Sequence, residues 1–221
     1  MTARMDRLTA ADGHEFDCCI HPAGGTRRAG LVILQEIFGL TDQLVGVGAR
    51  YAAQGYEVAI PALFDRRARG AVIPFTEAAR GRALMQALTE EETMRDIAAA
   101  VARLAQAGGK VAVMGFCWGG GLALRAAQLC DIAGAVSFYG TRLDQYLKDD
   151  LRAPVQMHFG IHDEHVPEEM RAALLRRFPD IEVYLYDAGH AFANEARPSH
   201  VAEAAELAHA RAARFLERVT A

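Results

Sequence analysis

Six short apolar runs punctuate the chain, and helix-forming stretches separate most of them. The runs are "GLVILQ" (30–35), "YEVAI" (56–60), "KVAVMG" (110–115), "AGAVSFY" (133–139), "PVQMHFG" (154–160) and "IEVYLYD" (181–187). The first is apolar without alternation, the pattern of a strand covered on both faces. Helical patterns fall at 42–55, at 76–106 with a break near Thr89, at 118–129, at 167–178 and at 198–219. "EFDCCI" (15–20) reads as one more strand, ended by the turn "HPAGG". Strands alternating with helices imply an α/β fold, a mainly parallel sheet with helices on both faces. No repeat, linker or low-complexity segment interrupts the 221 residues, so one domain over 1–221 is expected.

Composition narrows the partners. A net charge of −4 argues against nucleic acid, which calls for a basic patch. The one basic cluster, "RRAR" at Arg66–Arg69, reads first as a solvated loop and second as a charge facing the substrate. No stretch approaches the ~20 apolar residues of a membrane helix, and "MTARMDRLTAADG" lacks the apolar core of a secretory signal. The cytoplasm, where thiols stay reduced, is the expected compartment. Cys18, Cys19 and Cys130 read as small buried hydrophobes.

Cys117 is different. It stands in "GFCWGGG" (115–121), on a corner between the strand "KVAVMG" and the helix "LALRAAQL". G-x-C-x-G is the G-x-S-x-G nucleophile elbow with sulfur in place of oxygen. In such an elbow the residues two places either side must lack side chains, because strand and helix pass too closely, which accounts for Gly115 and Gly119. Gly120 and Gly121 let the helix pack hard against the sheet. A thiol nucleophile needs a base, and the base an orienting carboxylate. In open α/β sheets reactive groups gather past the carboxyl ends of strands. Asp163 in "GIHDEHVP" and His190 in "DAGHAF" occupy such places, in the order nucleophile, acid, histidine. Glu36, just past "GLVILQ", is a fourth polar residue at a strand end.

With these residues in place, the chain resembles the dienelactone hydrolase family, cysteine-dependent α/β-hydrolases that open lactones and related esters. The resemblance rests on "QEIFGL" (35–40), "GFCWGGG", "GIHDEHVP" and "DAGHAF", in order along nearly the whole chain. It implies hydrolysis of a small-molecule ester or lactone through a Cys117–His190–Asp163 triad, without metal or organic cofactor. It also implies that Glu36 contacts the thiol and takes part in forming the thiolate. The N–H groups of Ile37 and Trp118 fall where this fold makes its oxyanion hole. Phe38, inside the first motif, and Tyr139, ending "AGAVSFY", are further candidates for touching substrate.

One departure bears on the substrate. Family members that cleave dienelactone hold its carboxylate with two arginines, one of them four residues after the catalytic histidine. That position here is Asn194, and Arg197 lies three residues further on. The other arginine belongs to the helix after the fourth-strand loop, where Arg80 and Arg82 are the candidates. Neutral or less acidic esters and lactones are therefore expected to be preferred. Three competing readings fit the residues less well. His158, His162, Asp163, Glu164 and His165 lie close together, but their spacing matches no zinc motif, and Gly160 breaks any helix that would align the first two histidines. A non-catalytic scaffold leaves the ordered triad without a purpose. A thiol redox sensor lacks a resolving cysteine.

Overall fold

The structure, a computed structural model, describes residues 2–221 and divides into two compact units at Ala112 and Val113. The first carries β1 (Arg4–Thr9), β2 (Glu15–His21), β3 (Ala29–Leu34) and β4 (Tyr56–Pro61), in the order β1-β2-β4-β3. β3 and β4 are parallel; β1 and β2 join them antiparallel. Its helices are α1 (Asp42–Ala52), α2 (Ala78–Ala87) and α3 (Glu90–Ala105). β5 (Val111–Phe116) leads into the second unit, where β6 (Ala135–Phe138), β7 (Val155–Gly160) and β8 (Glu182–Tyr186) follow it in parallel order. There α4 (Trp118–Leu129), α5 (Glu168–Arg177) and α6 (Ala202–Thr220) supply the helices.

The class is α/β with a mainly parallel strand arrangement, as the alternation implied. β3, β5, β6 and β7 are buried along their whole length, which explains why β3 and β5 are apolar throughout, whereas β7 alternates apolar residues with the buried Gln156 and His158. Each buried Ile, Val, Leu or Phe on them contributes about 1.5–3 kcal/mol. The helix break near Thr89 is a capping box. Thr89 Oγ1 accepts the Glu92 N–H at 3.2 Å, and the Glu92 carboxylate accepts the Thr89 N–H at 2.9 Å.

Three expectations change. β1 pairs with β2 from Arg4↔Ile20 to Thr9↔Glu15, in a stretch without an apolar run. Its side chains are mostly exposed, so backbone pairing and the Asp12–Gly13 turn form it (φ 82° at Gly13). "RRAR" is a solvated loop only in part, since Arg67 and Arg69 are exposed and Arg66 is not. Arg66, only 6% exposed, pairs with Asp96 at 2.8 Å and Asp12 at 2.9 Å. Arg67 pairs with Glu92 at 2.7 Å and Arg69 with Asp17 at 3.2 Å. The carboxylates come from segments distant in sequence, so the local reading could not find them. Cys130, finally, is half-buried at the end of α4, whereas Cys18 and Cys19 are buried as expected.

Candidate active site

The turn at Cys117 is strained. Cys117 takes φ 53° and ψ −116°, a conformation that L side chains rarely adopt. Its carbonyl accepts the N–H groups of Gly120 and Thr141 at 3.0 Å, and its own N–H donates to Phe138 at 3.0 Å. These bonds over-determine the turn. A Cβ on Gly115 would lie 1.9 Å from the Gly119 carbonyl oxygen, and one on Gly121 would lie 2.1 Å from that of Thr141. Glycine is therefore required before the elbow, and the start of α4 seats directly on the loop after β6.

Asp163 lies in the loop after β7, its side chain wholly buried. Burying a carboxylate costs several kcal/mol unless it is paired and hydrogen-bonded, and both its oxygens are used. Oδ1 accepts the His165 N–H at 2.8 Å, and Oδ2 meets His190 Nδ1 at 2.7 Å. That leaves His190 Nε2 for the thiol of Cys117, which acts on the ring's charge. Burial pulls the His190 pKa down, but the bond to Asp163, the Cys117 thiol and the negative charge of both prevail and raise it to about 10. The rings of Tyr139 (5.2 Å) and His165 (4.6 Å) stand edge-on against it. Cys117, Asp163, His190 and Tyr139 are thus brought together within the second unit.

The other candidates divide in two ways. Asn194 is buried, and its Oδ1 accepts the Ala196 N–H at 3.0 Å, capping the loop after His190. In the first unit, Glu36 is 7% exposed just past β3. Gln35 braces that loop, donating to the Glu36 carbonyl at 3.2 Å and accepting the Leu63 N–H at 3.0 Å. Phe38 is buried, edge-on to Phe75 at 4.8 Å. The Ile37 carbonyl lies against α2, where a Cβ on Gly81 would come within 2.0 Å of it. Arg80 and Arg82 flank that glycine and are exposed; Arg80 pairs with Glu77 at 3.2 Å. Sequence reading passed over Gln35 and counted His165 only among possible metal ligands. Its place in "HDEHVP", two residues past Asp163, was the available signal.

The histidine-rich segment spreads in different directions. His158 bonds Tyr186 and Gln156 in the core, His162 meets Asp187 at the surface, and Asp163 holds His190. Among the described residues no helix is long and apolar enough to cross a membrane.

A cysteine elbow at the end of β5, with a buried aspartate and a histidine on the loops after β7 and β8, defines an α/β-hydrolase arrangement. Residues 18–220 match the dienelactone hydrolase family, and the chain belongs to it. It is 34% identical to a carboxymethylenebutenolidase of Pseudomonas putida, over 95% of this chain and 94% of that one. It is 33% identical to another from Pseudomonas sp. (strain P51), over 96% and 94%. A crystal structure of a putative dienelactone hydrolase from Klebsiella pneumoniae superposes with a TM-score of 0.81 at 22% identity, over 97% and 98%. A dienelactone hydrolase-like promiscuous phosphotriesterase from metagenomic libraries gives 0.81 at 20%, over the whole of both chains. The chain is accordingly a lactone or ester hydrolase.

Proposed function

We propose that the protein cleaves a small dienelactone-type enol lactone, or a related carboxylic ester, through a thioester on Cys117. The observation that carries this reading is the 2.7 Å contact between His190 Nδ1 and the buried Asp163, on a ring whose charge responds to the thiol at a strained elbow. The Cys117 sulfur attacks the carbonyl carbon, and the C=O π electrons move to oxygen. The N–H groups of Ile37 and Trp118 hold the oxyanion. When it collapses, the C–O bond breaks and His190 gives its Nε2 proton to the leaving oxygen. The now neutral ring takes a proton from water, which attacks the thioester. The C–S bond breaks and the thiolate–imidazolium pair returns. Asp163 orients the ring throughout, and Glu36 tunes the thiol.

The electrostatics support this order of events. Part of what makes His190 basic is the Cys117 thiol and the charge on its sulfur. Acylation removes both and leaves Asp163 alone against burial. The ring is then easier to hold neutral at the step where it must act as a base. No cofactor enters. The chain works as one domain, residues 1–221, in keeping with a family match over 18–220. Four free thiols accord with a cytoplasmic setting.

The test is a hydrolysis screen of aryl esters, enol lactones and dienelactones, with intact-protein mass spectrometry after an acid quench. An acyl adduct on wild type and none on Cys117→Ala is the expected result. Turnover by Cys117→Ala at more than a tenth of the wild-type rate refutes the mechanism.

A further inference from the structure

β7 carries two polar side chains into the core, Gln156 and His158, 2% and 0% exposed. Buried polar groups are costly unless bonded, and these two form the middle of a directional chain along β7 and β8. The Gln156 amide N–H donates to Glu182 at 2.9 Å, so Gln156 Oε1 accepts the Nε2–H of His158, also at 2.9 Å. His158 Nδ1 is then a lone-pair acceptor, and the Tyr186 hydroxyl donates to it at 2.7 Å. The Arg211 guanidinium on α6 lies over the Tyr186 ring, 5.4 Å from its centroid, and Arg218 on the same helix pairs with Glu182. The neighbours hold His158 neutral: burial, then His209 and Arg211, push its pKa down to about 3.

Tyr186 ends β8, four residues before His190, and its ring does more than fill space. It packs on Phe192 at 5.0 Å, Phe192 on Tyr139 at 5.5 Å, and Tyr139 stands against His190 at 5.2 Å. The strand-end loops carrying Asp163 and His190 are tied at the same point, by Ile161 N–H to the Tyr186 carbonyl at 2.9 Å and His162 N–H to Ala188 at 3.1 Å. We infer that His158 is a positioning residue: by accepting the Tyr186 hydroxyl at Nδ1 it fixes the aromatic floor beneath His190 and the spacing of the two loops that join acid to base. The inference rests on the catalytic reading of Cys117, Asp163 and His190.

Tyr186→Phe deletes one hydroxyl and keeps the ring. The readouts are the His190 ring titration by NMR and the kinetics, with folding followed by circular dichroism. The groups facing His190 are Asp163, Cys117, Tyr139 and His165, and none is altered. The expected result is a His190 midpoint shifted down towards the ordinary histidine value, and kcat/KM lowered about tenfold through kcat with KM nearly unchanged. A folded Tyr186→Phe with wild-type titration and kinetics overturns the inference. If that variant does not fold, His158→Asn and His158→Gln decide. Asparagine keeps an acceptor near the Nδ1 position and is expected to retain the raised midpoint; glutamine removes it and is expected to lose it. Equal behaviour of the two overturns the inference. A wild-type His190 titrating as an ordinary histidine, with Cys117→Ala still active, brings down the catalytic reading itself, and this inference with it. A raised wild-type midpoint unaffected by Tyr186→Phe brings down only the positioning role.

Discussion

Cys117 stands in a strained turn, is partly exposed and has the His190 ring beside it; Cys130 shares the exposure and Cys19 a histidine contact, but only Cys117 has all three. Replacing it with alanine removes the nucleophile while the smaller side chain still fits the elbow. Turnover is expected to fall on the order of 10⁶-fold with little change in melting temperature. Burial pushes the thiols of Cys18, Cys19 and Cys130 up. Iodoacetamide should therefore label Cys117 first, and peptide mapping that finds Cys130 ahead of it contradicts the site. Asn194 bears on specificity. A charge-assisted bond from an arginine at its position would favour a carboxylate substrate by about 1.5–3 kcal/mol. Asparagine forgoes this, and its amide oxygen is engaged by the Ala196 N–H. A neutral lactone is expected to exceed dienelactone in kcat/KM. Because position 194 is buried, Asn194→Arg would disturb the loop, so the cleaner check compares both substrates in wild type and Arg82→Ala. A wild type favouring dienelactone tenfold, with Arg82→Ala unchanged, refutes this reading.

Elements are set by close approaches and by charges from afar. Gly115→Ala places a methyl where the Gly119 carbonyl stands, so β5 and α4 must move apart. Loss of hydrolysis and destabilisation of more than about 3 kcal/mol by denaturant titration are expected. A melting curve like that of wild type would mean that the elbow tolerates the shift. In the first unit, Arg66 lies between Asp96, 1% exposed, and Asp12. Burial pushes the Asp96 pKa up, and the guanidinium works against that push. Arg66→Ala leaves a carboxylate buried without its partner and should cost about 3–5 kcal/mol. Arg66→Lys, lacking the two-pronged geometry, should recover only part of it.

For the whole molecule, two histidines give the stability curve opposite slopes. The pKa of His190, ordinarily 6.5, is raised to about 10, so its contribution is full below 6.5 and lost as pH rises through 10. His158 is pushed from 6.5 down to about 3, so the unfolded chain binds the extra proton between those values, and stability falls as pH drops from 6.5 towards 3. Maximal melting temperature is expected near neutrality. His190→Gln should flatten the alkaline limb and His158→Asn the acid limb, both readable by calorimetry across pH 4–10. An alkaline limb unchanged in His190→Gln would mean the ring is not held charged.

The sequence alone determined the α/β class, the order of the elements from β2 onward and the elbow, because these are local. Apolar runs mark buried strands, Thr89 and Glu92 mark a helix start, and glycines bracket a turn only glycines allow. It also pointed to Asp163 and His190, since strand ends can be counted along the chain. What only the tertiary structure decided depends on partners distant in sequence. β1 exists because β2 offers it a backbone ladder, and "RRAR" is a clasp because Asp12, Asp17, Glu92 and Asp96 converge on it. His158 looked like one histidine in a cluster of possible ligands. Folding turned its neighbours His162 and Asp163 outward or aside and left His158 between Gln156 and Tyr186, where burial fixes its protonation and two hydrogen bonds fix its ring.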